Sequence, residues 1–193
     1  MQYPKYVKVN DKKYAINTDF RVAIECNRIA EDISIGDFER VLGIIYTLYG
    51  EDGINAHDDY EKLLELALKY LSCGVEVDNN TEELDMDFIE DMDYIEASFM
   101  SDYNIDLSNI EMHWWKFLNL MNGLSNSELG NCCVLNRIRN LRNYDTKDIK
   151  DQKERDKIEK AKKQVALKKN KKEAKITKEQ EESMNELNKL LGL

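Results

Sequence analysis

A chain of 193 residues with 34% charged and 42% hydrophobic residues and a formal net charge of −10 suits one ordinary domain, or a small domain with an extended arm. A mean hydropathy of −0.64 and the lack of any apolar run near 18 residues argue against a membrane-spanning helix, and a single proline, Pro4, excludes proline-rich and collagen-like chains. Met1-Gln2-Tyr3-Pro4-Lys5 carries no apolar h-region, so the expectation is a cytosolic, mainly helical, acidic protein without a signal peptide.

The first residues alternate, with Tyr6, Lys8 and Asn10 on one side and Val7 and Val9 on the other. Asn10-Asp11 is a turn signal, and Tyr14-Ala15-Ile16 resumes the apolar run, which predicts a short N-terminal β-hairpin. Thr18 or Asp19 then caps a helix with Phe20, Ala23 and Ile24 on one face. Gly36 interrupts, and Asp37 opens a second helix with Phe38, Val41, Leu42, Ile45 and Leu48 inward. Gly50-Glu51-Asp52-Gly53 reads as a loop. A third helix starts at Asp58 or Asp59, turns Leu63, Leu64, Ala67, Leu68 and Leu71 inward, and ends at Gly74. The acidic stretch of about residues 75–90 reads as a mobile linker.

Beyond it, Tyr94, Ile95, Ser98 and Phe99 form a helical face after Asp91. Ile105 to Ser108 breaks the pattern, with Ser108 as the next cap, and Trp114, Trp115, Phe117, Leu118 and Met121 lie on the most aromatic helix. After Gly123 and Ser125 the helical pattern restarts, and Leu129, Cys132, Cys133, Leu135 and Ile138 continue inward. From Asp145 to Lys178 good helix formers carry few apolar residues, which predicts an exposed basic helix. Met184, Leu187, Leu190 and Leu191 close the chain as a short amphipathic turn. The fold class is therefore mainly α: an acidic helical head over 1–143 with a minor N-terminal β-hairpin, and an extended basic C-terminal helical arm over 144–193.

The net charge is a cancellation. Residues 1–136 hold 10 Lys/Arg against 27 Asp/Glu, and residues 137–193 hold 18 against 11, so −17 and +7 make up the −10. Glu76 to Glu111 contains 13 acids and no base. Such asymmetry predicts that head and arm attract each other or oppositely charged partners. Lys162, Lys163, Lys168 and Lys169 are the candidates for docking an acidic surface.

No catalytic constellation emerges. Cys26, Cys73 and the adjacent Cys132 and Cys133 make no chelating set with His57 and His113, so reduced thiols and no cofactor are expected. Asp85, Asp87, Asp91 and Asp93 lack the glycine and spaced glutamate of a calcium loop and read as a solvated acidic face rather than a metal-dependent enzyme. The glycines form no phosphate cradle, and His113 has no nucleophile or acid at a recognisable spacing. An enzyme is not expected. The basic arm could contact phosphates as a regulatory nucleic-acid binder, but it lacks interleaved aromatics, and the acidic head repels the same polyanion. Trp114, Trp115, Phe117, Leu118 and Met121 are candidates for apolar partner contact or for core, with core favoured.

Thr18-Asp19-Phe20-Arg21, Tyr103-Asn104-Ile105-Asp106-Leu107, His113-Trp114-Trp115-Lys116-Phe117, Gly123-Leu124-Ser125, Arg137-Ile138-Arg139 and a Lys/Arg/Glu-rich tail follow one another in fixed order. This succession resembles the bacteriophage gene-product-fifteen family, small proteins encoded in the tail-morphogenesis region of siphophages and prophages. The resemblance covers about residues 6–168 and is strongest over Asp91 to Leu124. It implies a tail assembly chaperone or associate that binds the tape measure protein and tail tube subunits in the host cytoplasm and is absent from the mature virion. It carries no catalytic residues. An edge strand of the hairpin could pair with a second copy, giving a homo-oligomer. A structural tail component retained in the virion is the alternative within the same family.

Overall fold

The computed structural model describes residues 3–74, 84–126 and 132–168. These hold a two-stranded sheet and seven α-helices, so the fold is mainly helical with an N-terminal hairpin. The Lys169 site and the amphipathic turn at Met184–Leu191 lie outside the described residues, as does Leu129. The chain forms two compact units, the first drawn from residues 1–80 and 105–123, the second from 81–104 and 124–193.

In the first unit, β1 (Tyr6–Val9) pairs antiparallel with β2 (Lys12–Ala15), Val7 opposite Tyr14. Asn10 and Asp11 take φ of 46° and 65°, the left-handed pair that a tight two-residue hairpin turn needs. Val9, Tyr14 and Ile16 are buried. The Tyr14 hydroxyl donates to Asp59 Oδ2 at 2.9 Å and Asn10 Nδ2 to Asp59 Oδ1 at 3.0 Å, which fastens the hairpin to the turn before the third helix.

Helix α1 (Phe20–Glu31) is capped by Asp19, whose carboxylate accepts from the Arg21 amide at 2.9 Å. It buries Phe20, Ala23, Ile24 and Cys26. Burial pushes the Cys26 thiol up to about 12 and keeps it protonated at neutral pH. Helix α2 (Asp37–Ile54) differs from expectation at both ends. Phe38 is 66% exposed rather than inward. The expected loop at Gly50–Gly53 is instead a kink, with Gly50 at φ 65° and ψ −152° and the helix resuming beyond it. A side chain at Gly53 would place its Cβ 2.6 Å from Tyr49 Cβ, so the resumed turn packs where only glycine fits. Helix α3 (Tyr60–Leu71) buries Leu63, Ala67, Tyr70 and Leu71, whereas Leu68, expected inward, is 50% exposed.

The second unit contains α4 (Met92–Tyr103), α6 (Val134–Asn143) and α7 (Gln152–Val165), while α5 (Trp114–Asn122) belongs to the first. Ile95, Ser98 and Phe99 of α4 are buried, as are Leu135 and Asn136 of α6. Ser98 Oγ donates to Tyr94 O at 2.6 Å and accepts from the Leu135 amide at 3.0 Å. Asn136 Nδ2 donates to Ser125 O at 3.2 Å. Asp102 accepts from the Ser125 amide at 2.8 Å, and that hydrogen bond holds its carboxyl below the usual range.

Asp91 and Arg142 form a bidentate pair at 2.7 Å with side chains 1% and 9% exposed. Arg142 also donates to Asp85 O at 2.8 Å and Val165 O at 2.7 Å. Arg139 reaches Asp85 Oδ2 at 3.0 Å, and the Lys168 amide reaches Glu90 Oε2 at 2.8 Å. Described residues of the expected linker, 84–90, are tied to α6 and to the end of α7, and Leu167 is 1% exposed. Acidic and basic segments distant in sequence share one unit, so their opposite charges are neutralised within it.

Candidate functional site

Residues 18–21, 105–107 and 113–117 of the sequence motifs meet in the first unit. Phe20 N donates to Met112 O at 2.9 Å and Trp114 N to Thr18 O at 2.8 Å, a single antiparallel bridge between Asp19 and His113. Arg21 Nη2 donates to Leu107 O and, at 3.1 Å, to Ile110 O, pinning the turn that leads into α5. Leu107 is buried, and Asp106 caps its short 3-10 turn by accepting from the Ser108 amide at 3.0 Å. Ser108 does not cap α5 as expected. His113 does, its Nδ1 accepting from the Trp115 amide at 3.1 Å. Its Nε2 faces Pro4 O at 2.9 Å, and a carbonyl only accepts, so the proton sits on Nε2.

Both indoles close the C-terminal end of α3. Trp114 Nε1 donates to Leu71 O and Trp115 Nε1 to Tyr70 O, each at 2.9 Å, satisfying carbonyls that a helix end leaves without intrahelical partners. Phe117 stacks on Phe20 at 4.5 Å between centroids and 11° between planes, and on Trp114 at 5.8 Å and 18°. Trp114 and Phe117 are buried at 2% and 0% exposure, so they pack this unit internally. Trp115, Leu118 and Met121 are half-buried and keep part of their surface toward solvent.

The lysine candidates separate. Lys162 Nζ donates to Tyr144 O at 2.6 Å, and Lys168 is held through its amide by Glu90. Lys163 is exposed, on the same α7 that exposes Lys153, Lys157 and Lys160.

Sequence reasoning missed a further set. Ile33 is 85% and Phe38 66% exposed at the turn joining α1 to α2, between Glu31, Asp32, Asp37 and Glu39. Periodicity placed Phe38 in the core. The signal against it was its position next to the acidic N-terminus of α2, away from the buried Ile44, Ile45 and Leu48. A cavity of about 630 Å³ lies where α2 kinks, lined by residues including Ile16, Asn17, Val22, Tyr46 and Gly50. Among the described residues no group of three or more His, Cys, Asp or Glu is placed to hold a metal ion, and no helix is long and apolar enough to cross a membrane.

The family whose model matches, described as Bacteriophage Gp15 protein, covers residues 2–167 of the 193. No curated protein and no solved structure matches the chain.

Proposed function

We propose, from the premise that the chain belongs to the bacteriophage Gp15 protein family, that it is a non-enzymatic tail assembly chaperone or associate. It acts by protein–protein contact on the tape measure protein, on tail tube subunits, or on both. It works in the cytoplasm of the infected or lysogenic host and leaves no copy in the mature virion. The observation that carries this reading is the solvent-facing apolar surface of an acidic unit, with Ile33 and Phe38 set between four carboxylate residues. Exposed apolar side chains rimmed by charge fit docking onto another protein, and here the rim is mixed, with Asp32 paired to Arg28 and Asp37 to Arg40. Half-buried Trp115, Leu118 and Met121 add large side chains on the same unit.

Co-expression with the tape measure and tail tube proteins tests the reading. Co-purification that Ile33→Asp with Phe38→Asp reduces at least tenfold is the expected result. No complex with either protein contradicts it. Mass spectrometry of purified particles separates a chaperone from a structural component, because the chaperone is missing from them. A second reading, binding of nucleic acid, is favoured by the exposed Lys153, Lys157, Lys160 and Lys163 of α7. Affinity for DNA or RNA at low salt that falls steeply as salt rises would support it over the first.

A further inference from the structure

On the face of α5 that carries the half-buried Trp115, Tyr3 and Pro4 lie across the rings. The Tyr3 ring stacks on the His113 imidazole at 4.9 Å and 25°, and meets Trp115 edge-on at 6.5 Å and 64°. Its hydroxyl accepts from Asn119 Nδ2 at 3.2 Å, and Pro4 O accepts from His113 Nε2 at 2.9 Å. Behind them, Tyr70 stacks with Trp115 at 6.1 Å and meets His113 edge-on at 5.9 Å. Tyr3-Pro4 thus lies as a strap across a cradle of three rings.

Strap and cradle are held by different bonds. Trp115 is fixed through its indole to Tyr70 O and through its amide to His113 Nδ1, and neither bond involves the strap. The hairpin begins beyond the strap, where Ile16 N donates to Lys5 O at 2.9 Å. Lifting Tyr3 and Pro4 about Lys5 therefore removes no strand pairing and no helix cap. What holds the strap is one stacked ring, one edge-on ring contact and two hydrogen bonds between uncharged groups, the weaker kinds of contact.

We propose that the cradle is a docking site for an extended partner segment in which tyrosine precedes proline, and that Tyr3-Pro4 is its built-in competitor. The strap displays the chemistry that fits. The imidazole face takes an aromatic ring, the Asn119 amide takes its phenol oxygen, and the Nε2 proton takes the next carbonyl. Proline at that position keeps the backbone extended and brings no amide hydrogen that would need a partner. Recognition of a proline-bearing extended segment on an aromatic surface follows from this geometry. A partner must outcompete a segment tethered at high effective concentration, so its apparent affinity is lowered by the fraction of time the strap is closed. The inference names partner chemistry for the protein-binding reading above and rests on it.

The test uses the full chain and the peptide acetyl-Gln-Tyr-Pro-Lys-amide, residues 2–5 of this sequence. Binding is read from the Trp115 indole proton by nuclear magnetic resonance, with the buried Trp114 indole as internal reference. Tyr3→Ala is expected to bind the peptide at least tenfold more tightly than the natural chain, and the Gln-Ala-Pro-Lys peptide at least tenfold more weakly than its tyrosine counterpart. A folded Tyr3→Ala that does not bind, or that binds both peptides equally, overturns the proposal. So does a Tyr3→Ala chain that fails to fold, because the strap is then structural. Peptide binding without co-purification of tail proteins removes the tail-assembly reading and leaves the cradle, and the reverse outcome removes the cradle alone.

Discussion

Nineteen of the 25 buried apolar residues described belong to the first unit, whereas Asp91, Ser98 and Asn136, the buried polar ones, all belong to the second. The first unit is assembled as most small domains are, by packing rings and aliphatic side chains, with Phe20, Trp114 and Phe117 stacked at its centre. Among its described residues the second has six buried apolar side chains for three helices and supplements them with a buried ion pair, a serine bridge between α4 and α6, and an asparagine clamp. One chain thus uses two ways of fixing helices, and they respond differently to mutation and acid. Hydrocarbon burial tolerates changes of pH, while a buried carboxylate–guanidinium pair is costly to break because one charge is left stranded.

The largest expected effect is in the first unit. Trp114→Ala removes a fully packed indole and the bond to Leu71 O, and should cost about 3–5 kcal/mol in denaturant unfolding. The buried Cys26 thiol, held protonated, gives a local readout, since alkylation at that site should accelerate only as this unit opens. Arg142→Met in the second unit should cost about 3 kcal/mol, because Asp91 stays buried without its partner. A loss below about 1 kcal/mol would mean that charge does not hold this unit together.

Acid separates the two further. Asp102 is depressed in the folded state by the Ser125 amide, so it stabilises the second unit above the ordinary aspartate pKa and that stabilisation fades as pH falls through its lowered folded value. Asp102→Asn should flatten the acid limb of the stability profile, read by circular dichroism below about pH 4. The smallest effect is a gain. The buried Tyr70 hydroxyl has no hydrogen-bond partner among the described residues, so Tyr70→Phe should raise stability by up to about 1 kcal/mol.

Local signals made the first unit legible. Alternation around Asn10-Asp11 predicts the hairpin, Asp19 is an ordinary cap, and the Phe20, Ala23 and Ile24 stripe is buried as its spacing requires. Local signals also misled where tertiary packing decides. Gly50 and Gly53 read as a loop because glycine stops helices, yet Gly53 permits a close approach to Tyr49 that lets the helix resume. His113 was not legible as a cap, because an imidazole accepts at Nδ1 only when its proton sits on Nε2, and residue order does not state the tautomer. The charge asymmetry was visible, but its resolution was not. Nothing in the order of residues says that Asp85 and Asp91 return to Arg139 and Arg142, more than fifty positions on. Within the candidate site, helical spacing grouped Trp114 to Met121 correctly on one helix but could not tell which of them face inward.

A double-mutant cycle on Asp91 and Arg142 tests most directly whether the second unit is held by charge. Asp91→Ala, Arg142→Ala and the double variant are unfolded in denaturant alongside the natural chain. A coupling of about 2 kcal/mol or more, with the double variant no less stable than either single one, is the predicted result. Additive losses, with coupling below about 0.5 kcal/mol, would contradict it.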